Sequence, residues 1–138
     1  HLILYGTYST GKSCASPELK AALCNLVRTS WGFGSKTFAD IFMPGSSKED
    51  LEYLKNWQRK AVEGEMAARL LEAEEHFDLT GLLPTINTPT LVLHRKSDRA
   101  CSIEGGRELA RLIPSAKFVL LEGIDHLPWA GCAPLVHA

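Results

Sequence analysis

The chain has 138 residues, 45% of them hydrophobic, with 15 Lys and Arg against 16 Asp and Glu for a net charge of −1; this suits one domain with its own core rather than two. The charges are interspersed without a basic stripe, so nucleic acid is not an expected partner, and no apolar run approaches the roughly 20 residues needed to span a bilayer. Cys14, Cys24, Cys101 and Cys132 form no C-x-x-C pair and no metal-ligand spacing with histidine, which argues against a metal site and for reduced cysteines in a cytoplasmic protein.

Leu2-Ile3-Leu4-Tyr5 reads as a short apolar strand. The segment after it, Gly6-Thr7-Tyr8-Ser9-Thr10-Gly11-Lys12-Ser13, satisfies the P-loop pattern G-x-x-x-x-G-K-S/T, whose backbone N–H groups wrap phosphates while the lysine meets the outer ones. Such a loop needs a helix starting at Lys12, and Pro17 would fall a little over one turn into it at a cost of about 3 kcal/mol. No later strand ends in a clear Mg²⁺-binding aspartate. A polar turn is therefore preferred, with a nucleotide binder as an alternative.

Ser16-Pro17-Glu18 supplies a cap, a first-turn proline and a first-turn acid for a helix through Leu19, Leu23, Leu26 and Val27. Gly32-Phe33-Gly34 is expected to break it, and a short aromatic helix around Phe38, Ile41 and Phe42 stops at Pro44-Gly45. Ser46 with Glu49 makes a capping box for a third helix carrying Leu51, Leu54 and Trp57 on one face. Gly64 separates it from a fourth, through Met66, Leu70 and Leu71, that runs out near Gly81.

Thr90-Leu91-Val92-Leu93-His94 is a second strand, left through Arg95-Lys96-Ser97-Asp98. Ser102 caps a helix whose Leu109, Leu112 and Ile113 share one face and which Pro114 ends. Phe118-Val119-Leu120-Leu121 is a third strand, followed by Glu122-Gly123-Ile124-Asp125-His126. A βαβ unit of this length is parallel, so Asp98 and His126 fall side by side just past the carboxyl ends of neighbouring strands, where open α/β sheets keep their chemistry. An acid next to an imidazole there suggests two members of a nucleophile–His–acid relay. Taken singly, each residue is more often a turn former or an ordinary loop residue. It is their shared edge that favours the functional reading.

The stretch PTLVLHRKSDRACSIEGGRELARLIPSAKFVLLEGIDHLPWAG resembles the end of an α/β-hydrolase, with Asp98 at the triad acid and His126 at the triad base, and HLILYGT resembles the strand that leads into that family's lid. The resemblance implies a partial α/β-hydrolase fold: about three parallel strands with an inserted four-helix lid. It divides the chain into a first core strand over 1–12, a lid over 13–87 and the remaining core over 88–138. It implies Ser-His-Asp hydrolysis of an ester, lactone or amide small molecule without a cofactor. Trp31, Phe33, Phe38, Phe42, Met43 and Trp57 could line the pocket beneath such a lid, although aromatic residues at these spacings more often form helix–helix core.

The family's nucleophile elbow, G-x-S-x-G, is expected before His1, and the chain alone is then expected to be inactive. Ser9, in Thr7-Tyr8-Ser9-Thr10-Gly11, falls one residue short of that motif and precedes Asp98 and His126 in the family's order. The elbow demands a small residue two before the serine, and β-branched Thr7 fits it poorly, so a turn is favoured over a nucleophile. After Trp129 the family continues into a helix that Pro134 and the short tail are not expected to make. Cys101 could stand exposed near Asp98. The reading from a different class is a non-catalytic oligomerising or ligand-binding module, self-associating through the unprotected first strand.

Overall fold

The computed structural model describes residues 1–13 and 15–130; Cys14, Cys132, Pro134 and the tail expected to lack a helix lie outside them. Strands β1 (Leu2–Tyr5), β2 (Thr90–Arg95) and β3 (Ala116–Leu121) form a parallel sheet in the order β1-β2-β3. Leu2 is in register with Thr90, and Thr90 with Ala116. Helix α5 (Ile103–Leu112) crosses from β2 to β3. Four helices lie between β1 and β2: α1 (Pro17–Thr29), α2 (Trp31–Phe42), α3 (Lys48–Ala61) and α4 (Gly64–Glu74). No described helix is long and apolar enough to cross a membrane.

Alternation along the strands sends Leu4, Val92 and Phe118 to one face, where they pack with Leu109 and Ile113 of the α5 segment and with Leu83 and Ile86. The chain thus rejoins the sheet core at Leu83, ahead of residue 88. The opposite face carries Ile3, 64% exposed, and Val119, 40% exposed.

The segment after β1 makes no phosphate-wrapping loop. Only a short 3-10 turn, Gly11–Ser13, follows it, and α1 starts at Pro17, where Ser16 Oγ accepts the Leu19 N–H at 3.3 Å. Gly11 is pressed against α4, since a Cβ there would lie 1.6 Å from the Glu74 carbonyl oxygen, and the Gly11 carbonyl accepts a bond from Lys20 Nζ.

The helices differ from the sequence expectation in four places. Helix α2 runs straight through Gly32-Phe33-Gly34; the break comes at extended Ser30. Gly34 is there for close approach, because a Cβ would come within 2.9 Å of Val27 Cγ2 on α1. The cap of α3 is Ser47, accepting from Asp50 N at 3.1 Å, one residue on from Ser46, whose N–H closes a turn on the Met43 carbonyl. Helix α4 ends at Glu74, well before Gly81, because Thr10 bridges Asp78 and the Gly11 N–H binds the Phe77 carbonyl. Finally, α4 buries Ala67, Ala68 and part of Leu71 against Val27, and leaves Met66 and Leu70 outward at 46% and 55% exposure.

The face α1 buries is therefore centred on Val27, which is wholly inaccessible, whereas Leu19 is 53% exposed. Val27→Ala should lower unfolding stability by about 1.5–3 kcal/mol, and Leu19→Ala by about 0.5 kcal/mol or less. Urea denaturation of the two variants distinguishes them, and equal losses would contradict this packing.

Candidate active site

Asp98 leaves β2 through a turn in which its N–H donates to the Arg95 carbonyl at 3.3 Å. Its side chain is 1% exposed and every part of it is occupied. Oδ1 accepts the N–H groups of Ala100 (2.8 Å) and Cys101 (3.1 Å), and Oδ2 pairs with His126 Nδ1 at 2.8 Å. Burial pushes the carboxyl pKa up; the hydrogen bond and charge of His126, with the two backbone N–H groups, outweigh that and hold it below its ordinary value of 3.8. A second imidazole, His94 on β2, is fully buried with Nε2 3.1 Å from the Cys101 carbonyl and 3.7 Å from Asp98 Oδ2. It fits only because residue 106 is glycine, where a Cβ would come within 2.7 Å of His94 Nδ1.

His126 hangs from the loop after β3. Its backbone N–H donates to the Phe42 carbonyl at 2.7 Å, and its ring lies 5.4 Å from the Phe42 ring at a 32° tilt. Gly6, just past β1, completes the setting. At φ +55° it occupies a backbone region few other residues tolerate, and a Cβ there would come within 3.0 Å of the imidazole. Because Nδ1 is engaged by Asp98, the nitrogen left to take a proton from a nucleophile is Nε2.

The partly exposed imidazole opens on a cavity of about 530 Å³ between sheet and cap, lined by Leu23, Phe38, Ile41, Phe42, Leu71 and Phe77, with Lys20, Glu74 and Arg99 among its charged groups. Of the six residues proposed as lining, Phe38 and Phe42 are there. Trp31 is not: it packs with Val27 and Ala68 inside the cap and its indole N–H donates to the Val62 carbonyl at 2.9 Å. Trp57 is 57% exposed and lies beside Tyr53 and Trp129, away from His126. Phe33 is exposed and Met43 is buried in the α2–α3 core. Cys101 lines the cavity but is buried rather than exposed.

Ser9 is bonded elsewhere than to the imidazole. Its side chain is fully buried and its hydroxyl donates to Glu108 on α5. Among the described residues no group of three His, Cys, Asp or Glu side chains is placed to hold a metal ion. Gly6 was overlooked as a site residue, although the rule that puts Asp98 and His126 past the carboxyl ends of their strands puts the residue after Tyr5 at the same edge.

No protein-family model matches the sequence. Among solved structures, the chain is similar to a hydrolase from Oleispira antarctica at a TM-score of 0.84 and 20% identity, covering 97% of this chain and 52% of that one. It is also similar to an enol-lactonase from Burkholderia xenovorans (TM-score 0.70, 27% identity, 92% and 49% covered) and to a thermophilic esterase from Thermogutta terrifontis (0.65, 30%, 93% and 49%). The chain is thus an α/β-hydrolase-fold protein, carrying the late strands and helical cap of that fold. It spans about half the length of the solved structures it matches.

Since the folded-state pKa of Asp98 lies below the unfolded one, its ionisation stabilises the fold fully above about pH 4 and ceases to as the pH falls through the ordinary value toward the depressed one. Asp98→Asn should lower stability near neutrality by about 1–3 kcal/mol and flatten the acid limb of stability against pH. Denaturation midpoints from pH 2 to 7 test this, and an unchanged acid limb would count against it.

Proposed function

We propose that the chain supplies the acid, the base and the substrate pocket of an α/β-hydrolase that cleaves small esters or lactones by Ser-His-Asp chemistry, with no cofactor. Asp98 holds the tautomer and stabilises the imidazolium, and His126 takes the nucleophile's proton through Nε2 and returns it to the leaving group. The observation that carries the reading is the 2.8 Å Asp98–His126 hydrogen bond beside an apolar cavity walled by Phe38 and Phe42. The nucleophile in this reading lies outside residues 1–138, and the working compartment is a reducing cytoplasm, consistent with Cys24 standing buried as a free thiol.

On this reading, residues 1–138 alone release p-nitrophenol from short esters at the buffer rate, unchanged by Ser9→Ala or His126→Ala. A short ester should nevertheless shift the NMR signals of Phe38, Phe42 and His126 and leave Trp31 and Trp57 undisturbed. Turnover abolished by both substitutions would return Ser9 to the nucleophile's role, and ester binding at Trp57 would displace the pocket.

A second reading, of another class, is a module that associates with its own copy. It is favoured by one specific feature: β1 has a single described neighbour, β2, and carries Ile3, 64% exposed, on the sheet face opposite α5. An unpaired edge without proline, charge or bulge invites pairing, and a two-fold dimer closes it. Sedimentation at micromolar concentration should then give a dimer or higher oligomer that Ile3→Lys dissociates. A monomer, or a variant that stays associated, would rule this reading out.

A further inference from the structure

His126 is bracketed by contacts that the relay itself does not require. One residue before it, Asp125 is 4% exposed, and its Oδ1 accepts the Gly45 N–H at 2.8 Å. Gly45 lies in the α2–α3 turn of the cap, 80 residues away in sequence. The other carboxylate oxygen, Oδ2, faces Arg95 Nη1 at 3.7 Å, and Arg95 Nη2 donates to the Ala130 carbonyl at 2.9 Å. Arg95, the last residue of β2, is itself 1% exposed. One guanidinium thus spans from Asp125 to Ala130, the two ends of the segment that carries the imidazole. The fit at the turn is tight, since a Cβ on Gly45 would stand 3.1 Å from Asp125 Oδ2. Immediately beside this clasp the His126 N–H is held by the Phe42 carbonyl, also from the cap.

We propose that Asp125 is a positioning residue: it ties the α2–α3 turn of the cap to the His126 segment, so that the imidazole meets Asp98 only when the cap is seated. The inference rests on the hydrolase reading for its purpose, but the geometry stands apart from that reading. A carboxylate can serve Gly45 and Arg95 at once because it has two oxygens, and an apolar side chain could serve neither. If the cap turn lifts, the Gly45 N–H and the Phe42 carbonyl leave together, and both restraints on residues 125 and 126 go with them. Substrate filling the cavity between cap and sheet would then act on the base as well as on the pocket, through the Phe42 contacts.

The test reads the imidazole directly and needs no turnover, so it stands or falls separately from the hydrolase reading. In residues 1–138, Asp125→Ala should abolish the hydrogen-bonded Nδ1–H proton signal of His126 and speed its modification by diethyl pyrocarbonate by roughly tenfold, the scale of one hydrogen bond to a charged acceptor. Gly45 amide exchange should accelerate in the same variant. Val27→Ala, which weakens the cap core without touching the clasp, should leave the His126 signal and modification rate as in the parent. Asp125→Asn retains an acceptor for Gly45 and should fall between parent and alanine variant, which keeps the test available if Asp125→Ala does not fold. An unchanged His126 signal in both Asp125 variants, or an equal disturbance by Val27→Ala, would overturn the proposal.

Discussion

Removing an ionised carboxylate from water costs several kcal/mol unless hydrogen bonds replace the solvent, and Asp98 is 1% exposed. The compensation comes from places far apart in the chain. The turn after β2 bends so that the Ala100 and Cys101 N–H groups point at Oδ1, and the loop after β3 delivers the imidazole to Oδ2. The residue after β1 is a glycine at φ +55°, where a Cβ would be strained and would crowd the imidazole at 3.0 Å. Each contribution arrives from the carboxyl end of a strand, so parallel pairing in one register is a condition of the site. The helix crossing from β2 to β3 supplies that condition, and the packing of Leu109 and Ile113 against Val92 holds it in place.

That local unit was legible from sequence for the same reason that it is stable. Strand, cap, helix and strand follow one another within about thirty residues, the scale of a single βαβ unit, and every signal concerns near neighbours. Ser102 accepts the Glu104 N–H, and Leu109 and Ile113 pack on the sheet as their spacing implies. The juxtaposition of Asp98 and His126 then follows from handedness and sheet order without any side-chain information.

The cap was legible in its number of helices but not in their faces. Hydrophobicity marks Met66 and Leu70 as core, yet α1 and α4 meet over Ala67 and Ala68, because close helix approach selects small residues that hydropathy undervalues. The same misjudgement affected Gly34, which is a site of close approach and was expected to break the helix. Trp31 and Trp57 show the limit on the pocket. Residues of similar type, Phe38 and Phe42, reach the cavity while these two point into the cap core and out to solvent. Which aromatic residue faces the cavity depends on the rotation of its own helix, and no short motif encodes that rotation.

The division of labour within the chain follows from what a base must have before reaction. An imidazole is effective when its tautomer and orientation are set in advance, so that no reorganisation is needed as charge develops. Here the tautomer is set by Asp98, within the sheet. Orientation is shared with the cap, through the Phe42 carbonyl and ring. The cap therefore cannot be regarded as a separable cover whose only task is to shape a pocket: one of its helices ends on the residue that holds the base. The Ser9 hydroxyl is buried and donates to Glu108, while the Cys101 backbone serves both Asp98 and His94. What the chain holds in place is an imidazole paired with a buried carboxylate, assembled and kept partly open to a cavity.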